Sequence, residues 1–146
     1  MDYFLARFVD DPDQAGVVVT FPDLPEAITG GASRAEATAN AADALEVTLL
    51  TYALDGKEIP KGIRKPAEGG SYVRIPVSAT VAAKVGFITA FRASGMTRVA
   101  LAARLGKAET EVRRMLDPYH NTKLPALEDG LAALGKRLVV KVEEAA

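Results

Sequence analysis

Residues 97–116 constrain this chain more than any other stretch, because they spell two short amphipathic helices meeting at one glycine. Thr97 is placed to cap the first helix, and Leu101, Ala102 and Leu105 recur at the three-and-four spacing that puts apolar groups on one face. Gly106 stops that helix in a turn that needs positive φ, and the chain restarts at Ala108. Val112, Met115 and Leu116 supply the buried face of the second helix, while the small Ala102 lets it lie across the first. The spacing predicts a helix-turn-helix, a motif that points to DNA. The competing reading is an ordinary α-helical core with the same small crossing residue.

The outward face of the second helix carries the chemistry. Glu109, Thr110, Arg113 and Arg114 fall opposite Val112 and Met115, with Ala108 at the helix start. Arg113 and Arg114 suit guanine edges or phosphates, and Thr110 suits a base or a thymine methyl. Arg98 is placed to meet a phosphate beside the groove. Glu109 and Glu111 repel a DNA backbone unless they accept from cytosine or orient an arginine, so the pattern predicts selective, modest affinity. Asn121 and Lys123, in the loop Asp117–Lys123, are further phosphate candidates.

Composition excludes several classes of protein. The chain has 146 residues, 49% of them hydrophobic and 25% charged, which is a normal balance for a folded domain or two small ones. With no cysteine and a single histidine, His120, it has no thiolate nucleophile, no disulfide and no Cys/His metal site. No apolar run reaches the roughly 18–20 residues a bilayer span needs, and Met-Asp-Tyr does not begin a basic-then-apolar leader. A cytoplasmic protein with no cofactor, no metal and no membrane partner is expected.

The net charge of −1 conceals an asymmetry. Residues 1–66 hold six Lys/Arg against eleven Asp/Glu, a balance of −5, and the remainder holds twelve against eight, a balance of +4. Opposite signs predict different partners for the two halves: phosphate for the basic one and a cationic protein for the acidic one.

In the acidic half, Tyr3–Val9 and Val17–Phe21 read as strands joined through a loop holding Asp10, Asp11 and Asp13, whose role the sequence leaves open. A short extended piece at Ala27–Thr29 follows. Ser33 and Glu36 form a capping box opening a long helix with Ala37, Ala41, Ala44, Leu45, Thr48, Leu49 and Tyr52 inward, ending near Leu54. A polar loop from Lys57 to Gly70 then leads to a strand at Ser71–Ile75. A metal-dependent nuclease would need converging carboxylates, and Tyr3–Val9 contains none, so no enzyme is expected. In the basic half, a helix from Ser78 to Gly95 and another through Leu127, Leu131 and Leu134 surround the motif. Arg137–Val142 alternates as a terminal strand, whose unpaired edge calls for intrachain pairing or a second chain across a two-fold axis.

Phe21-Pro22-Asp23-Leu24-Pro25, then Thr29-Gly30-Gly31, then Ser33-Arg34-Ala35-Glu36-Ala37 with Asn40 and Ala44-Leu45, resemble the signature of HicB antitoxins, and the resemblance covers nearly the whole chain. It implies a partial RNase H-like domain, β-β-β-α-β, that binds and masks a small basic HicA-like toxin, an mRNA interferase. It also implies a second domain that represses the toxin–antitoxin operon. The loop residues Phe21, Asp23, Leu24, Pro25 and Glu26 are the candidate toxin contacts.

The resulting expectation is an α+β chain. Residues 1–76 form the toxin-binding domain, and residues 77–146 form an all-α, phage-repressor-like helix-turn-helix domain with a terminal strand. Its partners are the toxin, operator double-stranded DNA and a second copy in a homodimer or higher homo-oligomer. The rival is a stand-alone transcriptional regulator whose first domain binds another protein or a small ligand.

Overall fold

A computed structural model describes residues 1–62 and 71–145. The elements are β1 (Tyr3–Asp10), β2 (Val17–Phe21), β3 (Leu24–Gly31), α1 (Arg34–Asp55), β4 (Tyr72–Pro76), α2 (Ala79–Ser94), α3 (Arg98–Leu105), α4 (Glu109–Leu116) and α5 (Leu124–Ala133). The fold is α+β, with an antiparallel sheet ordered β3-β2-β1-β4, and the chain divides into two compact units, Met1–Ser78 and Ala79–Ala146. Within the expected loop Lys57–Gly70, the breakers Pro66, Gly69 and Gly70 lie outside the described residues.

In the first unit, Phe4, Ala6 and Phe8 alternate along β1 into the core, joined by Val19 of β2 and Ile75 of β4. Helix α1 lies chiefly against β3 and buries Ala37, Ala41, Leu45, Leu49 and Ala53. Ala44, Thr48 and Tyr52, expected in that stripe, lie at its half-buried margin. Ser33 Oγ accepts the Glu36 N–H at 3.1 Å, which starts the helix where the capping pattern puts it.

Strand β3 is longer than the expected Ala27–Thr29, and its first half is irregular. Phe21 pairs with Leu24 across the two-residue turn Pro22–Asp23, and the register then jumps so that Thr20 pairs with Ile28. Pro25 has no N–H to give a ladder, and a bulge accommodates it. At the other end, a Cβ on Gly31 would stand 2.5 Å from the Ala37 nitrogen, and one on Gly30 2.5 Å from the Val17 carbonyl oxygen. Gly31 is what lets the first turn of α1 come down against the sheet, and Gly30 lets β3 lie close against β2.

The second unit wraps α2–α5 around Ala83, Phe87, Leu101, Ala102, Val112, Met115, Leu127 and Leu131. The terminal strand expected at Arg137–Val142 is not formed: residues 136–145 carry neither helix nor ladder. Leu138 packs against the helical core, whereas Val139, Val140 and Val142 are 73%, 63% and 93% exposed. A strand exists only through a neighbour's hydrogen bonds, and among the described residues the chain supplies none here.

Candidate functional site

The bend between α3 and α4 follows from local chemistry. Thr97 Oγ1 accepts the Ala100 N–H at 3.1 Å, opening α3. Gly106 closes it in the left-handed region at φ 64°, and Lys107 N–H returns to the Ala102 carbonyl at 3.0 Å. Ala108 is extended, with no side-chain cap, and α4 begins at Glu109 with Glu109 and Glu111 in its positive first turn and Arg113 and Arg114 in its negative last turn. Ala102 and Val112 are both buried in the shared core, which gives the two helices their common seam.

Arg98, Ala108, Thr110, Arg113, Arg114, Asn121 and Lys123 are exposed, and Glu109 is half-buried. Three of them form one chain of charge. Glu109 accepts from Arg98 Nε at 3.2 Å and from Arg113 at 3.0 Å, so the carboxylate orients two arginines along one side of the helix pair. Thr110 and Arg114 stand outside that chain on α4, and Asn121 and Lys123 lie in the segment leading into α5.

One polar residue essential to this geometry has no place among the sequence candidates. Lys84 of α2 is 3% exposed, and its Nζ donates to the Met115 carbonyl at 2.9 Å and to Thr122 Oγ1 at 2.7 Å, with the Arg114 carbonyl at 3.5 Å. An ammonium at a helix C-terminus satisfies carbonyls that have no helical partner. His120 Nδ1 approaches the same threonine at 3.2 Å, and Asp117 Oδ1 accepts the Tyr119 N–H at 2.9 Å. Together these bonds fix the end of α4 and the loop after it. Burial pushes the Lys84 ammonium down to about 8, an effect the Asp117 carboxylate partly opposes. The available sequence signal was a lysine within the apolar run Ala82-Ala83-Lys84-Val85.

In the first unit the five loop candidates separate. Phe21 and Leu24 are 2% and 0% exposed, so they plug the core from either side of the Pro22–Asp23 turn and offer no contact surface. Asp23, Pro25 and Glu26 remain at the surface. Glu26 accepts from the Tyr52 hydroxyl at 2.5 Å and pairs with Lys57 at 3.5 Å, tying β3 to α1. The tyrosine bond, then a backbone hydrogen bond and to a smaller extent the Lys57 charge, hold the Glu26 carboxyl below its ordinary range, and the same tyrosine bond raises the phenol. Asp10 lies at the end of β1. Asp11 accepts from the Asp13 N–H at 2.9 Å and from Gln14 at 3.3 Å, which assigns it the ordering of the β1–β2 loop.

The sequence did not reveal a groove between the outer strand β3 and α1. It holds about 370 Å³ and is bordered by Glu26, Ile28, Asn40, Asp43 and Val47. Ile28 and Val47 are 65% and 54% exposed on its walls. Among the described residues, no group of three or more His, Cys, Asp or Glu is placed to hold a metal ion, and no helix is long and apolar enough to cross a membrane.

Residues 3–85 match the family model described as HicB-like antitoxin of bacterial toxin–antitoxin systems, and the chain belongs to that family. It is 38% identical to antitoxin HicB 1 of Photorhabdus laumondii over 131 residues, covering 90% of this chain and 81% of the relative. It is 37% identical to antitoxin HicB of Escherichia coli K12 over 126 residues, 86% of this chain and 88% of that one. Antitoxin HicB of Pseudomonas fluorescens is 34% identical over 133 residues, 91% and 90% of the two chains. These relatives support an antitoxin role, and that family implies a toxin as partner.

Proposed function

We propose that this chain neutralises a HicA-type mRNA interferase by direct binding through residues 1–76, and that it represses its own operon through α3 and α4 acting as a helix-turn-helix. The first unit is read as a partial RNase H-like fold that binds without catalysing. The toxin-facing surface is the acidic rim Asp23, Pro25 and Glu26, continued by the groove beside Ile28. Complementary charge there speeds encounter with a basic toxin and sets its orientation.

The observation that carries the DNA-binding half is the ion-paired row Arg98–Glu109–Arg113, displayed beside the bend at Gly106. In this reading α4 enters the major groove, Arg113, Arg114 and Thr110 reach base edges, and Arg98, Asn121 and Lys123 meet phosphates. Ala108 gives the helix start a close approach. A homo-oligomer presents two such helices to half-sites about one DNA turn apart.

Co-expression with a small basic toxin of the HicA type tests the antitoxin half. The expected result is co-purification and rescue of growth from the toxin, both weakened by Asp23→Lys with Glu26→Lys while promoter binding is retained. Promoter binding with no toxin capture would favour the stand-alone regulator.

A further inference from the structure

We infer that the buried pair Lys84 and Thr122 fixes the His120 imidazole with its proton on Nε2, as a neutral donor to a phosphate oxygen of the DNA backbone. The inference rests on the DNA-binding reading of α3 and α4, and adds to it one contact and the two residues that position it. It starts from a hydrogen-bond chain whose direction is forced. Lys84 Nζ lies 2.7 Å from Thr122 Oγ1, 2.9 Å from the Met115 carbonyl and 3.5 Å from the Arg114 carbonyl. An ammonium has three protons and no lone pair, so the threonine oxygen must accept. Its own proton is thereby turned away from Lys84, in a place where both side chains are buried. Among the described residues, the other group bonded to that hydroxyl is His120 Nδ1, at 3.2 Å.

A hydroxyl that donates to Nδ1 needs a lone pair there, which puts the ring proton on Nε2. The opposite tautomer would set Nδ1–H against the same oxygen and leave the buried hydroxyl proton without an acceptor, a costly arrangement. Every donor then points the same way, from ammonium to hydroxyl to imidazole, and each bond polarises the next. The buried charge of Lys84 thus strengthens Nε2–H as a donor. The two ring nitrogens diverge, so a ring that turns Nδ1 to the buried threonine turns Nε2 away from it, and His120 is exposed. Its backbone is held as well: the His120 N–H donates to the Asp117 carbonyl at 3.2 Å, and its carbonyl accepts the Thr122 N–H at 2.9 Å. The surrounding loop names the ligand. Asn121 and Lys123, both exposed, add an amide and an ammonium, and Asp117, the loop's single carboxylate, accepts the Tyr119 N–H at 2.9 Å. Donors on the segment that follows a recognition helix suit the anionic oxygens of a phosphodiester rather than base edges.

His120 is the chain's single histidine, so nuclear magnetic resonance of the nitrogen-15-labelled full chain reads its ring directly. The neutral ring is expected to show Nδ1 fully unprotonated. Thr122→Val should move both ring nitrogens toward the average of the two tautomers, and Thr122→Ser, which keeps the hydroxyl, should not. Fluorescence anisotropy with a promoter duplex tests the contact. His120→Ala is expected to weaken binding about tenfold, by the same factor on a shuffled duplex, because a phosphate contact carries no sequence information. His120→Gln, whose amide reaches the place of Nε2, should stay within about threefold of the parent, whereas His120→Asn, whose amide stops at the place of Nδ1, should lose as much as alanine. A neutral donor releases no counterion, so the slope of log affinity on log salt should keep the parent's value in His120→Ala and fall by about 0.9 in Lys123→Gln. The position is exposed, and thermal melts of the His120 variants should match the parent. Ring nitrogens that ignore Thr122→Val, or equal affinity of the glutamine and asparagine variants, overturns the inference. Loss of affinity in Arg113→Ala with none in His120→Ala overturns it while leaving the DNA-binding reading in place, and a parent chain with no affinity for any duplex removes both.

Discussion

Glu109 Oε1 accepts from Arg98 Nε at 3.2 Å and so ties the start of α4 to the start of α3 across the bend at Gly106. The same carboxylate holds Arg113 one turn further along α4. A residue whose charge opposes phosphate contact thus orders two arginines, and the trio retains one net positive charge.

Arg113→Ala and Arg114→Ala are each expected to weaken promoter binding by about 1–3 kcal/mol. Unfolding free energy should change by less than about 0.5 kcal/mol, since exposed ion pairs contribute little to stability. Fluorescence anisotropy and urea denaturation separate the two effects. Glu109→Gln releases both arginines and should steepen the dependence of log affinity on log salt by about one.

Lys84→Met leaves the Met115 carbonyl without its ammonium donor and is expected to cost about 1–3 kcal/mol near pH 7. The pH dependence has a definite sign. The folded-state value of about 8 lies below the ordinary 10.5, so between these values the unfolded chain binds more protons than the folded one. The contribution of Lys84 therefore makes stability rise with pH across that interval, and the charged ammonium is held at a desolvation cost below it. Denaturation of parent and Lys84→Met at pH 7.5, 8.5 and 9.5 should show the parent gaining on the variant; parallel curves would contradict the assignment.

Phe21→Ala is expected to destabilise the first unit by about 3–5 kcal/mol, because it empties a buried aromatic site. Asp23→Lys with Glu26→Lys should leave the fold in place and lower toxin capture. Circular dichroism melts alongside pull-down assays distinguish loss of the core from loss of the contact.

Two glycines should respond differently to alanine. At Gly106 a Cβ meets nothing within 4 Å, so Gly106→Ala carries only the backbone cost of positive φ, about 1–2 kcal/mol. At Gly31 the Cβ would stand 2.5 Å from the Ala37 nitrogen, so the start of α1 must move, and about 1–3 kcal/mol of overpacking is expected. Thermal melts of each variant, following α1 in the second case by hydrogen exchange, check both.

Local signals were the legible ones. The Ser33 and Thr97 caps, the stop at Gly106 and the strand at Tyr3–Val9 depend on residue types and neighbours within a few positions, and the structure has each of them. What the sequence hid depends on distant partners. Phe21 and Leu24 look like a displayed loop until the two-residue turn folds their side chains inward. Lys84 looks like a surface charge until Met115 and Thr122, thirty or more positions away, close around it. The β3–α1 groove arises from a sheet edge and a helix face that no single stretch encodes, and the strand pattern at Arg137–Val142 specifies pairing without supplying the other strand.

The most direct test of the whole account is a salt titration of the full chain against a labelled duplex from immediately upstream of its own reading frame, with a shuffled duplex as control. A log-linear fall of affinity with salt and a preference of about a thousandfold or more for the upstream sequence at physiological salt are expected. Equal affinity for the two duplexes, or none for either, would contradict it.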